Sequence, residues 1–172
     1  IGHTSMKNNT VTLLTDTTES VTVTPSKVVR GITLELNGHA LNASNTTAIT
    51  VPAHMQLTIT GSGTVVGGDN PAIDCRGALR IQGGNFTSNT TLMRFAETGS
   101  ASAEASISAG TFTAPTLIGM LDDAEHLGYV SIRGGEYHGA IPAGLDTLVL
   151  MGGAFSTTEN LTPYLADMAG LI

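Results

Sequence analysis

The sequence predicts an all-β chain wound as a parallel β-helix, a solenoid of about six coils closed by a short C-terminal helix or cap. The first observation behind this is a recurring figure. Two apolar residues flank a polar one, followed by a polar residue, a Gly or Gly pair, a variable residue and an aromatic, as in Leu79-Arg-Ile-Gln-Gly-Gly-Asn-Phe86. It returns in Ala105–Phe112, Val130–Tyr137 and Leu148–Phe155, and more loosely in Leu34–Leu41 and Leu57–Val65. The intervals, 23, 22, 26, 25 and 18 residues, lie in the range of stacked repeat units. The second observation is another kind of apolar segment midway between copies: Ala48–Val51, Ala72–Cys75, Leu92–Phe95 and Leu117–Leu121. Each unit therefore carries at least two strands and two bends, and only stacking can bury its apolar face. The third is composition. Thr and Gly abound while charged residues make up 12% and aromatics 4%, which favours strands punctuated by turns.

Taken in order, the chain reads as one domain over residues 1–172: N-terminal strands or a cap (1–30), coils (31–156) and a C-terminal cap (157–172). After a polar start, Val11–Leu14 and Val21–Thr24 alternate as short strands. Pro25 and Lys27 interrupt before Val28-Val29, and Ile32–Leu36 is a strong strand stopped by the turn signal Asn37-Gly38. Period two places Leu34/Leu36, Leu57/Ile59, Leu79/Ile81, Ala105/Ile107, Val130/Ile132 and Leu148/Leu150 inside. The outward pairs are then Glu35/Asn37, Thr58/Thr60, Arg80/Gln82, Ser106/Ser108, Ser131/Arg133 and Val149/Met151. Only the last is apolar, so something must cover that end of the array. Residues 97–104, rich in Ala and Ser, are expected to form the longest protruding loop. In the tail, Thr162 as N-cap, Pro163 in the first turn, and Tyr164, Leu165, Met168 and Leu171 at helical spacing predict a short helix.

Net charge of -7 and only two lysines argue against a phosphate-tracking groove, and hence against a nucleic-acid partner. No run of about 20 apolar residues is available for membrane insertion. The single Cys75 cannot form an intrachain disulfide and fits a buried apolar position. A start at Ile1 without Met suggests a piece cut from a longer protein. Six Asn-x-Ser/Thr sequons, at Asn8, Asn42, Asn45, Asn85, Asn89 and Asn160, follow from the Thr-rich composition.

Gly31–Leu41, Ala48–Val51, Leu57–Val65 and the later Ile-x-Gly-Gly-x-aromatic copies resemble right-handed parallel β-helix modules of large surface proteins in gut Firmicutes. Gly152–Ser156 with Pro163–Asp167 is similar to the Gly-Gly-Thr-Phe-Ser ending of such modules. Covering about residues 31–168, the resemblance implies an extracellular module, on the bacterial cell surface or secreted, beside neighbouring modules of its parent chain. It implies an adhesive, non-enzymatic role toward a host macromolecule, either a host glycoprotein, including secreted immunoglobulin, or a glycan. It carries no catalytic motif and no cofactor.

The residues leave other classes to weigh. A carbohydrate-active enzyme, a lyase or hydrolase, needs two carboxylates facing one bond, and Asp122-Asp123 with Glu125-His126 is the one dense acidic cluster. It superficially resembles the paired aspartates of polygalacturonases, but Leu121 precedes the pair and no Gly-His follows it. Among the five histidines none form a close pair; only folding could bring His39 near His54, or His126 near His138, so no metal ligand is assigned. A purely structural spacer is the remaining class. The ligand-facing candidates are Arg80, Gln82 and Arg133 on the polar face, about 10 Å separating the two arginines' backbones, with Tyr137 and Met151, beside Tyr129, as apolar members of an exposed patch.

Overall fold

The computed structural model describes residues 4–7, 9–24, 31–97 and 103–166. They form a parallel β-solenoid of about five turns, each with three sides. The first side stacks Thr10–Leu13, Gly31–Glu35, Gln56–Thr60, the start of Ala78–Thr87, the start of Glu104–Met120, Tyr129–Ile132 and Leu148–Leu150, all parallel. Ala40–Asn42, Thr64–Val66, Asn85–Thr87, Thr111–Thr113, Glu136–Ala140 and Ala154–Phe155 make the second side. The midway segments make the third: Val21–Thr22, Ile49–Val51, Ile73–Cys75, Thr91–Phe95 and Thr116–Met120. Beyond a single Ala140–Thr116 pair, the last two copies of the figure pair only on the first two sides, which is why about five turns form rather than six.

Stacking satisfies backbone groups turn to turn and closes one apolar column per inward position. The inward residues of every copy are buried, from Leu34 and Leu36 to Leu148 and Leu150. Each such Leu, Ile or Val side chain stabilises the fold by about 1.5–3 kcal/mol relative to an exposed one. One register differs from expectation. Ile32 pairs with Leu57 and Leu34 with Ile59, a shift of two residues. Leu36 consequently reaches the bend, where a Cβ on Gly63 or Gly84 would collide with it. Ser131, expected to point to solvent, is buried between its ladder neighbours Ser106 and Val149, its hydroxyl donating to the Ala105 carbonyl at 3.2 Å.

The aromatics of the figure stack inside the second side. Phe86, Phe112, Tyr137 and Phe155 form a column with centroids 5.2, 4.8 and 4.7 Å apart and planes within 12° of parallel. The strand spacing of about 4.8 Å sets this repeat, and it falls in the range of offset stacking. Tyr137 is therefore corrected: it is fully buried, its hydroxyl donating to the Gly134 carbonyl at 2.8 Å, and cannot belong to an exposed patch. Two positions past the second Gly of its figure, it points inward by the same alternation as Phe86 and Phe112. That second Gly is conformationally required. Gly84, Gly110, Gly135 and Gly153 have φ of 96°, 127°, 104° and 110°, a region costly for any residue with a Cβ.

The ends are covered unequally. Thr4–Lys7, a polar segment without strand alternation, pairs antiparallel with Thr10–Leu13 and covers the N-terminal edge of the first side. At the other end the expected helix is a single 3₁₀ turn, Thr162–Tyr164, without a side-chain cap. Leu165 is already extended and bridges to Leu150, and Ala166 donates to the Leu150 carbonyl at 2.9 Å, so pairing with the open edge wins over continuing the helix. Tyr164 anchors this turn, donating to the Pro142 carbonyl at 2.7 Å and accepting from the Leu145 amide at 3.1 Å. Met168 and Leu171, Val28-Val29 and most of the expected 97–104 loop lie outside the described residues.

Candidate functional site: a trough at the first bend

The bend between the first and second sides is built from the Gly pairs, so it has no side chains to fill it. Aligned over successive turns, Gly83-Gly84, Ala109-Gly110 and Gly135 make the floor of a trough that runs along the solenoid axis. Its volume is about 600 Å³, with Ser62 at one end and Ala154 at the other. Asn85, Thr111 and Glu136, the variable residues between Gly and aromatic, line one wall. Gln82, Ser108, Arg133 and Met151 immediately precede the bend and stand exposed on the first side, outside the residues that line the trough. Glu136 is the one carboxylate among the lining residues. A volume of this size lies within the range of small-molecule and cofactor sites.

None of the predicted site residues lines the trough; Gln82, Arg133 and Met151 stand exposed on the first side, one residue before the bend. Arg80 lies farther from it. It is exposed in mid-strand, level with Thr58 and Ser106, whereas Arg133 lies two turns on and two residues further along the strand. Their backbones are separated by about 12 Å rather than about 10 Å, from strand spacing and rise. Tyr129 is exposed at the start of its strand, on the same side as Arg80 and away from the trough. Met151 is 52% and Leu165 60% exposed beside each other at the C-terminal end, where they line a second, apolar hollow with Leu150 and the Gly152-Gly153 pair.

The acidic cluster is committed elsewhere. Arg94 donates Nε and Nη2 to the two carboxylate oxygens of Asp74, both at 2.8 Å, and its Nη1 lies 3.5 Å from Asp122. Thr47 donates to Asp74 at 3.1 Å, and Arg76 donates to Asp123 at 2.6 Å. The guanidinium of Arg76 holds the Asp123 carboxyl below its ordinary pKa, and the bonds to Asp74 raise that of Arg94. Asp122 and Asp123 therefore latch their turn to the body of the solenoid. His126 accompanies them but pairs with Asp146, Nδ1 to Oδ2 at 3.2 Å, and its hydrogen bond lowers the Asp146 pKa.

The histidine pairs considered from sequence do not come together. His39 stands at the first bend, 3.4 Å from Asp16, and His54 precedes the strand Gln56–Thr60 at another bend. His126 precedes Tyr129–Ile132, whereas His138 lies on the second side. Among the described residues no group of three or more His, Cys, Asp or Glu is placed to hold a metal ion. Burial pushes the Cys75 thiol up to about 12, the mark of an inert core cysteine. No described helix is long and apolar enough to cross a membrane.

The fold and the trough define the chain as a parallel β-solenoid with an axial surface groove. Compared with family models, curated proteins and solved structures, the chain matches none.

Proposed function

We propose that this protein is a non-enzymatic binding module of a bacterial surface or secreted protein, and that it engages a host macromolecule, a glycoprotein or a glycan, along the trough. The observation that carries this reading is the trough itself: an open, preformed concavity spanning several turns, lined by Asn85, Thr111 and Glu136 and supported by the stacked aromatics beneath. A preformed surface costs little conformational entropy on binding. The bacterial surface setting, and immunoglobulin as one host glycoprotein of interest, rest on the resemblance to gut Firmicutes modules.

Two observations favour binding over sugar chemistry. Hydrolysis by paired carboxylates requires them within about 10 Å of each other across a bond, and the trough presents Glu136 alone. The carboxylates that do cluster, Asp74, Asp122 and Asp123, are occupied by arginines. The test is a pull-down of host mucosal proteins on the immobilised module, run beside a glycan array and a turnover assay on acidic polysaccharides. Specific capture without turnover is the expected result. Turnover of a polysaccharide without capture would establish the enzyme instead, and neither activity would leave a spacer.

A further inference from the structure

We infer that the trough binds a neutral, hydroxyl-rich oligosaccharide laid parallel to the solenoid axis, with one sugar ring facing each turn. This rests on the binding-module reading and names its ligand class. Beside the Gly floor, successive turns present Asn85, Thr111 and Glu136 in ladder register. Each turn thus offers a side-chain donor or acceptor, at a repeat of about 4.8 Å, close to the length of one pyranose residue in an extended chain. The side chains of Asn85, Thr111 and Glu136 make no hydrogen bond or ion pair within the protein, in contrast to the paired Arg76 and Arg94. Their hydrogen-bonding capacity is free for a ligand, and amide, hydroxyl and carboxylate groups are the complements of vicinal hydroxyls.

Peptide binding fits the same surface poorly. Extended peptides add to a free strand edge or place side chains in apolar pockets. Here the strands run across the trough and are already paired on both flanks over these turns, while the aromatic rings lie beneath the floor, fully buried up to Tyr137. Charge selects the neutral class. Glu136 is the one charged side chain lining the trough, and with a net charge of -7 it disfavours approach of a polyanion. The polar turns number three, since Ala154 takes the place of Asn85, Thr111 and Glu136 on the next turn, so a trisaccharide fills the site.

The test is a set of NMR titrations of the whole chain with three probes: a neutral β-1,4-linked trisaccharide of N-acetylglucosamine, a neutral cellotriose, and a trigalacturonate. Chemical-shift changes at the amides of residues 82–85, 108–111 and 133–136 with at least one neutral probe are expected, with weaker or no response to trigalacturonate. The double variant Asn85→Ala/Thr111→Ala, both side chains at the surface, is expected to weaken binding at least tenfold while leaving the unfolding midpoint unchanged. Ala109→Leu, which fills the floor, gives an independent block. Shifts confined to other faces, or tightest binding of the acidic probe, would overturn the inference. Capture of a host glycoprotein that survives enzymatic removal of its glycans would overturn this ligand class while keeping the binding module. Failure of all saccharides and all host proteins would overturn both.

Discussion

Replacing Phe112 by Ala tests whether the stacked aromatics are the structural spine of the second side. Phe112 is fully buried, with Phe86 at 5.2 Å on one face and Tyr137 at 4.8 Å on the other. Truncating a buried Phe costs about 3–5 kcal/mol through lost transfer energy and the cavity left behind. Here the flanking rings are held by their own strands one turn away on each side, so the cavity cannot collapse, and the cost belongs at the upper end, about 4–5 kcal/mol. Two stacking contacts, each about 0.5–1.5 kcal/mol beyond area burial, are included in that figure. Phe155 is the internal control. It ends the column, is only partly buried and stacks on Tyr137 alone, so Phe155→Ala should cost about 2 kcal/mol. Against the 5–15 kcal/mol stability typical of a domain, the two values are easily separated. Because the chain has no Trp, urea unfolding is followed by far-UV circular dichroism. Equal costs for Phe112→Ala and Phe155→Ala, or a Phe112→Ala cost below about 2 kcal/mol, would refute the reasoning, since the column would then not be the packed element that the geometry describes.

Further predictions concern charge and the thiol. Arg94→Ala should destabilise by about 1–3 kcal/mol, because it leaves the largely buried Asp74 without its bidentate partner, whereas Arg80→Ala on the exposed strand should change the urea midpoint little. Cys75, with its thiol at about 12, should not react with a thiol reagent at pH 8 until the chain is unfolded; rapid labelling of the native protein would refute its place in the core. In the His126→Ala variant the Asp146 carboxyl, now held below its ordinary value by His126, should titrate closer to that value in an NMR pH series. The sign for stability follows from the lowered folded pKa. The contribution of Asp146 is present above the unfolded carboxylate value of about 3.9 and is lost as pH falls through the folded one.

How much of the site was legible follows from the same alternation. Gln82, Arg133 and Met151 could be placed on the outward face because they precede the Gly positions by one residue. Asn85, Thr111 and Glu136 could not be recognised as the wall of the trough, because the variable position of the figure has no signature of its own. The only available signal was the vertical run of Gly pairs, which implies a bend without side chains. Tyr137 falls outside the exposed patch that its aromatic ring suggests, because its own figure places it on the inward parity of Phe86 and Phe112.

By itself the sequence determined the winding unit, the inward columns and the bends, because period-two burial and the need of a positive-φ position for Gly are local constraints. Tertiary structure alone decided the rest. It set the number of sides per turn, the two-residue shift that aligns Ile32 with Leu57, the strand made by Thr4–Lys7, and the pairing of Arg94 with Asp74 and Asp122. These depend on how many residues each bend consumes before the chain returns to its starting side. That count varies from 18 to 26 between copies, so residues a turn apart become neighbours only once the strands have stacked.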